Sequence, residues 1–225
     1  MTWMDRHLSI MKYNNIFIFG VGGHARVLLS ELLLINKHNS IIFVAEPEYL
    51  SASIKINNVD YDVINDLNKL KNLYDEGSHG IIGIGSNRKR VSISQEIFNL
   101  IPHFSWMSLL SKYAIISPDV SIGEGTVVIS GSQINAGSVI GKHCIINSKS
   151  SIDHDNIIGN FVNISPMVVT GGSVKVGSNS DIGIGSTIKN NIDIQDNVTI
   201  GGHSFVNKDC ETNSLYYGSP IKKIK

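Results

Sequence analysis

Charge is scarce in this sequence, and what there is cancels. Charged residues make up 17% of the 225, against roughly a quarter in ordinary globular chains. Nineteen Lys and Arg are matched by nineteen Asp and Glu, so the formal net charge is zero. That balance supplies no electrostatic reason for a nucleic-acid or anionic-membrane partner. Cysteine is nearly absent. Cys144 and Cys210 stand far apart and form no metal-type pair. They argue against a disulfide framework and fit a reducing, cytoplasmic compartment. Long apolar runs are missing too. No stretch of 18 apolar residues suggests membrane insertion, and the first twelve residues have neither the apolar core nor the cleavage site of a secretory signal. Residues 1–12 read as an N-terminal extension, with 1–10 poorly fixed and Met11 offering a second start. What is present is 42% hydrophobic residues, enough to pack one large domain or two small ones.

The grammar changes near residue 110. Before it, short apolar runs alternate with helical patterns: strands at Ile16–Phe19, Ile41–Ala45 and Gly80–Gly85, helices at His24–Asn36, Asn65–Leu73 and Asn87–Leu100. Such alternation predicts a small parallel sheet, an α/β Rossmann-like domain over 13–110. After it, one period governs. Stepping by six from Ile116 through Ile122, Val128, Ile134 and onward to Val206 meets Ile or Val at fifteen of sixteen positions, with Thr170 the exception. Period six fits neither an α-helix nor simple strand alternation. It fits a three-sided parallel β-helix with one inward aliphatic residue per short strand. Stepping by eighteen, Ile122-Gly123, Ile140-Gly141, Ile158-Gly159 and Val176-Gly177 recur once per turn, glycine serving there as a tight corner. About five coils at roughly 4.8 Å give a prism about 24 Å long over 111–210, with a tail at 211–225.

Four segments carry the candidate chemistry. Gly20-Val21-Gly22-Gly23-His24-Ala25 fits G-x-G-x-x-A between a strand and a helix, where glycines and free helix N–H groups can cradle phosphate. Read by itself it permits a nicotinamide cofactor, with Glu46 on the ribose, or a purely structural glycine turn. Gly83-Ile84-Gly85-Ser86-Asn87 ends the third strand at the edge where open sheets bind ligands. Arg88, Lys89 and Arg90 follow, one of them a candidate for phosphate. His154 lies two places past the inward Ile152, flanked as Asp153-His154-Asp155, where a side chain can leave the prism. Chemistry that deprotonates a nucleophile attacking a carbonyl needs a base, an oxyanion donor and aligned substrates. An imidazole can be the base near neutral pH, oriented by a carboxylate from Asp153 or Asp155. Eighteen residues on from His154 is Gly172, beside the break at Thr170; its N–H is the candidate donor to a carbonyl oxygen or oxyanion. Gly183, Gly185, Gly201 and Gly202 keep corners small along a groove. The other histidines read as tail, loop or solvated corner residues, His143 and His203 among the last.

These motifs, with Asn147 through Asp155 and Gly218-Ser219-Pro220-Ile221-Lys222, resemble the hexapeptide-repeat acyltransferases. Within them they are similar to the sialic-acid O-acetyltransferase-like and bacillosamine-type nucleotide-sugar acetyltransferases, over residues 14 to 225. The resemblance implies left-handed coils, a homotrimer with active sites between subunits, and acetyl-CoA as co-substrate with no metal. It implies a nucleotide-sugar diphosphate at Gly20, Gly22, Gly23 and His24, with Gly85, Ser86 and Asn87 near it. It places the base at His154, its acidic partner at Asp155 and Asn147 in the acceptor pocket. Gly183, Gly185, Gly201, Gly202, Gly218, Pro220 and Lys222 would meet coenzyme A, Lys222 and Lys223 as point charges toward its phosphates, and Gly172 would meet its thioester carbonyl. The second histidine of the family pattern is Asn163 here, which can bind coenzyme A but takes no proton.

The reading that follows is N-acetylation of a nucleotide-linked amino-deoxysugar, such as a 4-amino-4,6-dideoxy sugar on UDP, dTDP or GDP, for surface polysaccharide or glycan synthesis. No nucleophilic Ser or Cys stands beside a base, so transfer is expected to be direct. The alternatives are O-acetylation of a sugar such as sialic acid, a β-helix that binds without catalysis, and a nicotinamide oxidoreductase.

Overall fold

The structure, a computed structural model, describes residues 13–35, 38–49, 51 and 53–225. The expectations for residues 1–12 lie outside the described residues. The chain divides into two compact units, one of residues up to 84 with 92–107, the other of 85–91 with 108–225.

In the first unit, strands β1 (Tyr13–Phe19), β2 (His38–Val44), β3 (Ser53–Ile56), β4 (Val59–Ile64) and β5 (His79–Ile82) form one sheet in the order β3-β4-β2-β1-β5. β1 pairs parallel with both β2 and β5, and β4 pairs parallel with β2. Ile16 to Phe19 are buried without alternation, as a central strand covered on both faces requires. The sheet is not wholly parallel as expected. β3 runs antiparallel to β4, joined by Asn57 and Asn58, both at positive φ, the primed-turn geometry of a two-residue hairpin. Helix α1 (Gly23–Ile35) buries Ala25, Leu28, Leu29 and Leu32, a stripe at helical spacing that seats it on the sheet. Helix α2 (Leu67–Leu73) is capped by the Asp66 carboxylate, which accepts the Asn68 N–H at 2.8 Å. Helix α3 covers Asn87–Leu100, the bounds expected; its residues 87–91 belong to the second unit. No described helix is long and apolar enough to cross a membrane.

The second unit is a left-handed parallel β-helix. Two-residue strands recur every six residues from β6 (Leu109–Leu110) to β22 (Phe205–Val206). The first face holds eight strands, among them β23 (Leu215–Tyr217) and β24 (Lys222–Lys223) of the tail; the second holds six and the third five. Ile116 and Ile122, the first two members of the six-step ladder, are half-buried, and every later member is buried. Each fully buried Ile or Val contributes roughly 1.5–3 kcal/mol relative to exposure, so the column drives the stacking.

Glycine at 123, 141, 159 and 177 answers to a different need from the one expected. A Cβ at Gly141 would lie 2.6 Å from the backbone of Gly159. These glycines let coils approach, and none has positive φ. The left-handed residue of each corner is the third after the inward one: Gly125, Gly131 and Gly137, then His143, Lys149, Asp155 and their successors to His203. A second column, two places before the inward residue, is also buried and mostly Ser, Thr, Cys or Val. Its hydroxyls bond coil carbonyls, as Thr126 does with Gly141 O at 2.7 Å.

Candidate active site

Residues 153–156 form the corner between the second face, through β13 (Ser151–Ile152), and the third, through β14 (Ile157–Ile158). Three local choices shape it. Asp153 Oδ1 accepts the Asn135 amide at 3.0 Å and the His154 N–H at 2.8 Å, which commits that carboxylate to the corner and lowers its pKa. Asp155 takes the left-handed position, φ 57°, which Asp tolerates better than most side chains. Its Oδ2 then lies 2.8 Å from His154 Nδ1. Of the two candidate carboxylates, Asp155 is therefore the one on the ring.

An ionised carboxylate only accepts, so Nδ1 carries the hydrogen and Nε2 keeps its lone pair. The bond to Asp155, and after it the charge of Asp153, raises the His154 pKa above the ordinary 6.5. His154 and Asp155 side chains are 57% and 64% exposed, so the pair adds little to stability and is open to a substrate.

Gly172 lies against the ring. A Cβ there would stand 2.5 Å from both Cε1 and Nε2 of His154. Gly172 is buried, and its N–H enters no backbone hydrogen bond. On the coil below, a Cβ at Gly137 would collide with Asp155 Oδ1. The His154–Asp155 pair thus sits between two glycine rungs. Thr170, the exception in the ladder, is buried, and its hydroxyl accepts the Asp153 N–H at 3.1 Å. Strands β13 and β16 (Val169–Thr170) register through Ser151 and Val169 alone.

Other candidates fall elsewhere on the same unit. Asn147 lies in the preceding corner, between the first and second faces, where its Oδ1 accepts the Ser148 N–H. Gly183, Gly185, Gly201 and Gly202 occupy that same edge. A Cβ at Gly183 would meet the Gly202 N at 2.5 Å, and one at Gly201 would meet Tyr217. The tail closes on it: Gly218 O accepts the Phe205 N–H, and Ile221, just past Pro220, donates to Phe205 O. Lys222 is exposed, whereas Lys223 is paired with Glu211 at 2.6 Å. Asn163 donates to Asp181 Oδ1 at 2.9 Å. Within one chain, then, His154 and Gly172 hold one edge of the prism, and the glycines and tail hold another.

Gly85 and Ser86 are exposed. The Asn87 amide is taken up by the carbonyls of Asn179 and Ser180. Arg90 is not available to a phosphate. It is 1% exposed, donates to the carbonyls of Gly85, His143, Phe161 and Val162, and burial lowers its pKa to about 10. His143, expected to be solvated, is 5% exposed and stacks on Phe161 at 5.0 Å, with burial pushing its pKa to about 4. His79 opens strand β5 rather than a loop; His203 is exposed as expected.

In the first unit, Gly20 requires glycine: its φ is +107°, and a Cβ would lie 2.8 Å from Ile84 Cγ1. Gly22 and Gly23 have nothing within 4 Å of a Cβ, so the space before α1 is open. Gly22 O accepts the Arg26 N–H, which makes Gly22 the cap of α1. His24 is half-buried and Glu46 exposed.

Comparison with known proteins adds the following. The PglD N-terminal domain family matches residues 15–97. No curated protein matched. Among solved structures, the acetyltransferase domain of PglB from Neisseria gonorrhoeae is 27% identical, covers 93% of this chain and 99% of its own, and superposes with a TM-score of 0.85. A second structure of that domain is a complex with acetyl coenzyme A. PerB from Caulobacter crescentus, in complex with CoA and GDP-perosamine, is 28% identical over 94% of this chain and 97% of its own, TM-score 0.83. WeeI from Acinetobacter baumannii, 19% identical, shares the fold. Repeat, coil corner and these likenesses agree: the chain is an acyltransferase, similar in sequence and fold over nearly its whole length to these acetyltransferases.

Proposed function

We propose that the chain transfers an acetyl group from acetyl-CoA to the amino group of a nucleotide-linked amino-deoxysugar, with His154 as general base. The observation that carries this is the His154 ring, held through Nδ1 by Asp155, with Nε2 on the side of a rung that has no side chain. The amine nitrogen attacks the thioester carbonyl while Nε2 takes its proton. The C–S bond then breaks, and the thiolate leaves and takes the proton from the imidazolium. Asp155 stabilises the imidazolium between the two steps. In this reading the Gly172 N–H steadies the oxyanion. The nucleotide diphosphate meets Gly22, Gly23 and the first turn of α1, an N-terminus suited to anions. The relative crystallised with GDP-perosamine and CoA supports this substrate class, and the one with acetyl coenzyme A supports the donor.

The reading includes a homotrimer with active sites between subunits. Two features support it. His154 and the glycines read as coenzyme-binding lie on different edges of one prism, as a site shared between copies requires. The face that follows His154 also carries the paired Val139 and Ile157, 45% and 49% exposed, which association would cover.

The test is a panel of UDP-, dTDP- and GDP-linked amino sugars with acetyl-CoA, read as thiol release and product analysis. One acceptor is expected to give an alkali-stable amide. Thiol release with none of them, or an alkali-labile ester as product, would sink the N-acetyl reading. His154→Asn should lower turnover by at least about 10²-fold.

A further inference from the structure

The column of small buried residues, two places before each inward one, has an outlier at position 156. Its other members include Val162, Val168 and Val174, which fill the space with methyl groups, and serines with one hydrogen to donate. Each serine spends that hydrogen in one of two ways. Ser132, Ser150 and Ser204 donate to a carbonyl of their own corner. Ser138, Ser180 and Ser186 donate to a carbonyl fifteen residues on, in the next coil. Asn156 has two hydrogens and does both. Its Nδ2 donates to Asp153 O at 2.9 Å and His154 O at 3.1 Å in its own corner, and to Gly171 O at 2.9 Å in the next.

Folding alone does not account for this choice. Asn156 is fully buried, and its Oδ1 has no hydrogen-bond partner, a defect that costs about 1–3 kcal/mol. Turning the amide over would set that oxygen against three carbonyl oxygens, so the assignment of Nδ2 follows from its partners. Valine at 162, 168 and 174 of the column shows that the coil packs without such a defect. A buried unpaired group kept beside a candidate site points to function.

We infer that Asn156 is a positioning residue for acyl transfer: one amide clamps the corner that carries His154 to the peptide that seats its ring. The Gly171–Gly172 peptide has its C=O and N–H on opposite sides. Holding Gly171 O inward on Asn156 turns the Gly172 N–H to the outer side, where the imidazole and the acetyl group lie. The same amide holds the carbonyls on both sides of the His154 α-carbon, and so fixes the backbone from which the ring projects. This rests on the reading of His154 as base.

Asn156→Val and Asn156→Ser, measured beside His154→Asn, test it. Both are expected to melt within a few degrees of the parent and to keep KM for both substrates within about threefold. kcat should fall by about 10-fold or more in Asn156→Val, since displacements below an ångström already cost rate, and by less in Asn156→Ser. The pH midpoint of kcat should also move down, toward ordinary imidazole, as the His154–Asp155 pair loosens. Parent kcat and parent midpoint in Asn156→Val, with His154→Asn inactive, would overturn the positioning role and leave the base in place. Failure of both variants to fold would make Asn156 structural and overturn it as well. An active His154→Asn would remove the reading beneath it.

Discussion

The Thr170 hydroxyl accepts the Asp153 N–H at 3.1 Å, where neighbouring coils use a carbonyl: Asn135 donates to Ile152 O and Gly171 to Ile188 O. A side chain has replaced a strand bond at the rung that carries His154. Thr170→Val restores the aliphatic ladder and removes that acceptor. Losing one hydrogen bond costs about 1 kcal/mol, and the added methyl returns about 0.8 kcal/mol. The melting temperature should therefore stay near the parent's while turnover falls about 10-fold, because the corner shifts. Unchanged turnover would show that the ladder break has no part in the chemistry.

The pH dependence follows from the Asp155 bond. In the proposed role His154 acts as base only when neutral, so kcat should rise with pH through its pKa. Asp155 and Asp153 raise that pKa, which puts the midpoint above 6.5. Asp155→Asn should move the midpoint down and lower the plateau. The sign for stability is opposite. A His with raised pKa contributes fully below its unfolded pKa and loses the contribution as pH rises through the folded one. Since the pair is exposed, melting curves should stay nearly flat over the window in which kcat rises. A rate profile with no inflection near or above neutrality would contradict this.

Much of this corner is legible in the sequence because the coil is a lattice. The step of eighteen places Gly172 against His154, as the structure does. The same step places Phe161 against His143, and applying it there would have predicted a stacked, buried ring in place of a solvated one. Other features leave weaker traces. The β3–β4 hairpin turns on Asn57-Asn58, without the glycine that marks such turns. The small-residue column is held by hydroxyl bonds as much as by apolar burial, so a search for hydrophobic periodicity passes over it, and over Asn156 with it. Nothing in the run from Asn87 to Arg90 says that its last guanidinium is surrounded by carbonyls.

Gly172 and Gly141 offer a test that separates the proposed site from scaffold. An alanine Cβ at Gly172 meets the His154 ring, the far end of an exposed side chain that can swing aside. Gly172→Ala should keep the fold and lose about 10²-fold in kcat as the base is displaced. An alanine Cβ at Gly141 meets Gly159 backbone at 2.6 Å, which cannot yield without parting two coils. Gly141→Ala should cost about 1–3 kcal/mol, as overpacking does, and appear as a lowered melting temperature. Equal activity losses with equal melting shifts would mean that Gly172, too, is only scaffold.

Gly22 offers a test in which stability and binding move in opposite directions. It caps α1, has no positive φ, and has nothing within 4 Å of a Cβ, so a side chain fits. Gly22→Asp supplies a preferred cap residue and a negative charge at the positive end of the helix, together worth a few tenths to about 1 kcal/mol. The melting temperature should hold or rise slightly. A diphosphate bound at that helix end would meet the same negative charge. KM for the nucleotide-linked acceptor should then rise about 10-fold or more, with KM for acetyl-CoA unchanged, and added salt should narrow the gap by screening. A more stable protein with unaltered acceptor KM would place the nucleotide somewhere other than this turn.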